Sequence, residues 1–121
     1  MKVVINRCFG GFGISNLAFE KLLERKGVQY IKVPAKYPIK GNTSDYYKAG
    51  DEPSEDNYLS EYEFFDDRAD PDLVAVIEEL GDKSWGWASE LAVVEIPDGI
   101  KWHIREYDGI EHVAEDHRTW R

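Results

Sequence analysis

Arg7, Cys8, Gly10, Gly11, Gly13 and Ser15 fall in one short window, directly after the apolar run Val3-Val4-Ile5 and Asn6. A strand that ends in glycines and resumes as a helix turns backbone N–H groups outward, and the positive end of a helix dipole favours an anion there. Arg7 adds a guanidinium fork and Ser15 a hydroxyl. The predicted ligand-binding set is therefore Asn6, Arg7, Gly10, Gly11, Gly13 and Ser15, holding a small anionic, nucleotide-like ligand. The spacing is not that of a P-loop, because no Gly-Lys-Ser or Gly-Lys-Thr follows, and Gly10-Gly11-Phe12-Gly13 lacks the G-x-G-x-x-G of dinucleotide folds. A plainer reading gives the glycines positive φ and lets Phe9 and Phe12 tuck into the core.

Cys8 is the only cysteine, which excludes an internal disulfide. As a nucleophile it would need Arg7 or the helix terminus to depress its pKa, and a base from His103, His112 or His117; single cysteines are more often inert core residues. The enzyme alternative is thus Cys8 or His117 acting on a phosphate-containing or acyl substrate held at the glycine turn. The leading reading is a non-enzymatic binding protein, with no catalytic residue, metal or cofactor assigned. Glu111-His112-Val113-Ala114-Glu115-Asp116-His117-Arg118 places His112 and Glu115 on one face of a helix, but not in the H-E-x-x-H arrangement of a zinc site. From Asp51 to Asp72 ten carboxylates stand against one base, Arg68, either as a solvated face or as a mimic of a phosphate backbone. Asp66 and Asp67, with the aromatic pair Trp85 and Trp87, form the predicted partner-binding set.

The elements that must position these groups follow from periodicity. Lys2 to Asn6 reads as a buried strand, and Ser15 as the N-cap of a helix carrying Leu17, Ala18, Phe19, Leu22 and Leu23 to Gly27. Val28 to Val33 alternates as a second strand, giving a β-loop-α-β opening compatible with two parallel strands. Residues 34–60, punctuated by Pro34, Pro38 and Pro53, read as an irregular insertion whose Tyr37, Tyr46, Tyr47 and Tyr58 fit a binding role. Glu61 to Phe65 is a candidate third strand, and Asp70-Pro71 opens a helix closed by Gly81. Leu91 to Ile96 and Lys101 to Arg105 read as a hairpin joined by Pro97-Asp98-Gly99, with Trp102 and Ile104 inward. Ile110 to Trp120 reads as a short helix. The expectation is an α+β fold: one domain over 1–121, with a mixed sheet of four to five strands and two to three helices.

A chain of 121 residues suits one domain, and its 42% hydrophobic and 32% charged residues are those of a folded protein. No apolar run approaches the ~20 residues that cross a bilayer, and Met1-Lys2 leads straight into a strand instead of a signal peptide, so a cytoplasmic protein without membrane contact is expected. The net charge of −9 is unevenly spread: residues 1–50 carry nine Lys or Arg against three acids, residues 51–121 six against twenty-one. This field disfavours direct nucleic-acid binding. It leaves a basic host protein or a small anion as partner, or simple pairing between the two parts. The aromatic content makes a homodimer a further candidate assembly.

The segment Val4-Ile5-Asn6-Arg7-Cys8-Phe9-Gly10-Gly11-Phe12-Gly13-Ile14-Ser15 resembles the start of a family of small, largely uncharacterised proteins encoded by bacteriophages and prophages. Asp70-Pro71 through Gly81, Val93 through Asp98, Tyr107-Asp108-Gly109 and His117 through Trp120 are similar to its recurring pieces, whereas Tyr37 to Tyr58 looks like a variable insertion. The resemblance implies a phage setting, the bacterial host cytoplasm, and an accessory factor that binds a host component, inhibitors of bacterial immunity included. Family members often carry a second cysteine near the position of Ala88, and its absence weakens a two-cysteine site.

Overall fold

Both long helices begin where a side-chain oxygen takes up amides that the first turn leaves without partners. In the computed structural model, which describes residues 1–39 and 42–116, Ser15 caps α1 (Asn16–Arg25) by accepting from the Ala18 amide at 3.1 Å. Asp70 accepts from the Asp72 amide at the start of α2 (Pro71–Leu80), where Pro71 loses no useful donor. Ala18, Phe19, Leu22 and Leu23 of α1 are buried, as are Leu73, Val74, Val76 and Ile77 of α2. These stripes close on each other and on β1 (Lys2–Asn6), which pairs antiparallel with β4 (Leu91–Glu95) in the register Val4↔Val93. Four consecutive buried residues, Val3 to Asn6, mark β1 as covered on both faces.

The fold is α+β in a single domain, with two α-helices and six strands among the described residues where four to five strands were expected. Among the described residues the three strand pairings are all antiparallel, in separate two-stranded sheets. The parallel opening unit is therefore corrected: β1 takes β4 as its neighbour, and β2 (Tyr30–Ile39) pairs with β3 (Asn42–Lys48). The segment expected to be irregular from 34 to 60 holds the second part of β2 and all of β3. Pro34 and Pro38 are accommodated because a proline lacks only a donor, and among the described residues β2 has a neighbour on one edge alone, with a register shift between Pro34 and Ile39.

Three further expectations are overturned. Glu61–Phe64 is a 3₁₀ turn capped by Ser60, not a strand. The β4 strand and β5 (Trp102–Tyr107) both form but do not pair with each other, since β1 claims β4. The expected terminal helix is instead β6 (Ile110–Glu115), joined to β5 through Asp108-Gly109, both at positive φ, the preferred two-residue hairpin turn. Among the described residues no helix is long and apolar enough to cross a membrane.

Candidate functional site

The glycine loop is shaped by backbone crowding. A Cβ on Gly10 would lie 2.5 Å from the Ala88 carbonyl oxygen, and one on Gly109 would lie 2.5 Å from the Gly11 nitrogen, so three backbone segments meet where only glycine fits. The Gly10 amide donates to the Asp108 carbonyl at 3.2 Å. Asn6 has no exposed surface. Its Nδ2 donates to the carbonyls of Cys8 (2.9 Å) and Gly109 (2.7 Å), while its Oδ1 accepts from the Glu90 amide (2.9 Å). Ser15 donates its hydroxyl proton to the Lys83 carbonyl at 2.6 Å. Asn6 and Ser15, expected to bind a ligand, are thus committed to holding the chain. Arg7 is exposed on the surface and is not among the residues lining the adjacent cleft. Of the predicted set, the structure brings Gly10, Gly11 and Gly13 together on that cleft. Phe12 packs against the core as expected, but Phe9 is 66% exposed.

The cleft has a volume of about 360 Å³ and runs between the Gly10–Ile14 loop, the β2–β3 hairpin, the Tyr58–Tyr62 segment and Gly86–Ala88. Its walls are pinned at several points. Asn16 Oδ1 accepts from the amides of Thr43 (2.7 Å) and Ser44 (3.0 Å), fixing the hairpin to α1. The Gly13 carbonyl accepts from the Gly86 amide (3.1 Å) and the Ser89 hydroxyl (2.6 Å), fixing the loop to the tryptophan segment. Buried Tyr46 meets Phe19 edge-to-face at 5.2 Å and donates to Glu20 Oε2 at 2.7 Å. Burial opposes ionisation of Glu20, but the hydrogen bonds from Tyr46 and Lys32 outweigh it and hold that carboxyl below its ordinary pKa. Tyr37 (78%) and Trp87 (66%) also line the cleft while remaining largely exposed.

Two carboxylates, Asp45 and Glu61, line this space, and no Lys, Arg or His does so among the described residues. Burial alone pushes the Glu61 carboxyl up to about 7. Burial also raises the pKa of the Tyr58 hydroxyl, with the negative charges of Asp45 and Glu61 adding to the effect. Asn42, held by donation from Nδ2 to the Ile14 carbonyl at 3.1 Å, has a buried Oδ1 without a partner among the described residues. These are acceptors and aromatic faces, arranged to receive donors.

Next to the cleft another carboxylate is fully satisfied. Glu111, expected on a charged terminal helix, lies buried on β6 and takes a bidentate pair from Arg68 (2.7 and 3.0 Å) and the Asn6 amide (2.8 Å). The Arg68 guanidinium stacks 3.6 Å above the Phe12 ring. Strand geometry also separates His112 and Glu115, and no cluster of three or more potential metal ligands is present among the described residues. The expectation for His117 falls outside those residues.

Cys8 donates from Sγ to the Ala88 carbonyl at 3.2 Å and lies 3.5 Å from Asn6 Oδ1, and among the described residues no histidine is hydrogen-bonded to it. The predicted partner pair divides: Trp85 packs against the core and donates Nε1 to the Leu91 carbonyl at 3.2 Å, while Trp87 projects at the cleft. Asp66 and Asp67 are exposed in the turn before α2, away from the cleft lining. Part of the opposite charge does pair across the chain, as in Lys2–Glu78, Arg25–Asp72 and Lys26–Asp70. Sequence reasoning pointed to Tyr37, Tyr46 and Tyr58 but missed Asn42, Asp45 and Glu61. Their only signal was membership of the same polar, tyrosine-rich stretch and its border. Comparison with protein-family models, curated proteins and solved structures finds no match.

Proposed function

We propose that this chain is a non-enzymatic binding protein whose ligand sits in the cleft beside the glycine loop. The observation that carries the reading is a pinned cavity of about 360 Å³ with aromatic side chains from four separate segments, including Tyr37, Tyr62 and Trp87 in exposed positions. That volume is within the ~300–1,000 Å³ of small-molecule sites. The likeness to small phage-encoded proteins supplies a setting, in which an accessory factor in the bacterial host cytoplasm occupies or removes a host component. The glycine loop contributes a wall, and the capture chemistry lies with the residues facing it.

The test is release and identification. Protein purified rapidly from bacterial lysate is denatured, and the released small molecules are identified by mass spectrometry. One compound at near one per chain, reduced at least tenfold in Trp87→Ala with the fold intact by circular dichroism, supports the reading. Binding that survives both Trp87→Ala and Tyr37→Ala would place the ligand elsewhere and overturn it.

A further inference from the structure

The geometry points to an organic cation, of guanidinium or alkylammonium type, as the ligand of the cleft, with Glu61 and Asp45 as its counter-charges and the surrounding rings packed on its stem. This rests on reading the cleft as the binding site. Anion capture was the expectation from the glycine loop, but the cleft presents two carboxylates and no cationic side chain among the described residues. An anion there would meet the Asp45 carboxylate, and that of Glu61 once it ionises, with no cationic side chain among the described residues to offset them.

The unmet charge sets this place apart from other sheltered carboxylates. Glu20 has Lys32 and two tyrosine hydroxyls, Asp70 has Lys26, Asp72 has Arg25 and Lys26, and Glu111 has Arg68. Among the described residues neither Asp45 nor Glu61 has an ion-pair partner or a hydrogen bond to its carboxylate. Burying an acidic group without compensation is costly, and Glu61 accommodates that cost by holding its proton near neutral pH. A bound cation supplies what is missing. Tyr58, Tyr62 and Trp87 offer π-faces of the kind that hold cations. Lys36 shows the chemistry at the margin, its ammonium 5.5 Å from the Tyr37 ring centroid.

Cation binding must then expel the Glu61 proton. The titratable groups lining the cleft with it are Asp45 and Tyr46 from β3, Tyr37 from β2, and Tyr58 and Tyr62 from its own segment. Among these, Glu61 is the one held up to about 7, so affinity for a guanidinium, itself charged at every relevant pH, rises about tenfold from pH 6 to pH 8.

The experiment is isothermal titration of the full chain at pH 6 and pH 8 with agmatine, with acetyl-Gly-Arg-Gly-amide, and with adenosine monophosphate as the anionic probe. The expected result is saturable binding of a guanidinium probe, tighter at pH 8, with proton release. Glu61→Gln is expected to lose at least tenfold in affinity at pH 8 and to abolish the pH dependence, and Asp45→Asn to lose several-fold, both with native circular dichroism. Tighter binding of agmatine identifies a free amine as the source, and tighter binding of the peptide an arginine side chain; either upholds the proposal. Binding of adenosine monophosphate without the cations, lost in Trp87→Ala, overturns the cation class while leaving the cleft as the site. Absence of binding by all three probes at 10 mM overturns the cation proposal, and the released-molecule measurement then decides the cleft reading independently.

Discussion

Glu111 and Glu61 are both withdrawn from water beside the same glycine loop, yet they are treated in opposite ways. Glu111 receives a two-pronged guanidinium and a backbone amide, and so ties β6 to β1 and to the segment that leads into α2. Glu61 lines a cavity with no charge partner among the described residues, and its carboxyl is pushed up to about 7 by burial. Phe12 belongs to both regions, lining the cleft and carrying the Arg68 guanidinium over its ring. The lesson is that a sheltered carboxylate becomes structural when the fold supplies its cation, and becomes a candidate recognition group when the fold withholds it.

The largest effect is expected from breaking the satisfied member. Arg68→Met leaves Glu111 buried without its cation and should destabilise the protein by ~3–5 kcal/mol in urea unfolding, whereas Arg68→Met with Glu111→Leu should recover much of that loss. Equal losses in the single and double variants would show that the pair is not coupled.

Asn6→Ala removes donors to two carbonyls and the acceptor for the Glu90 amide around the same lock. A loss of ~2–3 kcal/mol is expected from the stranded backbone groups, read as a fall in the urea midpoint. A change below ~0.5 kcal/mol would mean that the turn reorganises at little cost.

The contrasting member should respond to pH. Because the folded-state pKa of Glu61 lies above its ordinary value of 4.5, the folded protein binds that proton more tightly than the unfolded chain does. The stabilisation is fully present below about pH 4.5 and is lost as pH rises through about 7. Glu61→Gln should therefore stabilise the protein by ~1–3 kcal/mol at pH 8 and change little at pH 4.5, measured by urea unfolding at both values. A destabilised Glu61→Gln at pH 8 would reveal that the charge has a partner after all.

The smallest effect is expected for Asp45→Asn without ligand, within ~0.5 kcal/mol at pH 7, because the carboxylate keeps partial contact with water. A larger loss would move Asp45 from the unmet group of carboxylates to the satisfied one.

Both helices could be read from the chain alone because their causes are local: an oxygen at Ser15 or Asp70, an apolar stripe, and a glycine to stop. The strands expected at Lys2–Asn6 and Leu91–Ile96 likewise follow from short apolar runs. Which strands pair was not local information. The β1–β4 pairing joins residues some ninety positions apart, so neither a turn signal nor alternation between neighbours could disclose it. The segment from Ile110 shows the same limit, since its expected helix gives way to β6, whose pairing with β5 through the Asp108-Gly109 turn is set by the partner strand.

For the site, sequence by itself determined that Gly10 to Gly13 would form a special backbone turn and that the tyrosine-rich stretch was suited to contact. Tertiary structure alone decided that Asn6 and Ser15 would spend their polar atoms inside the protein, that Arg7 would stand apart from the cleft, and that Asp45 and Glu61 would line it together. The physical reason is that residue type sets what a group can donate, accept or ionise, whereas burial and the presence of a counter-charge are properties of neighbours brought from elsewhere in the chain.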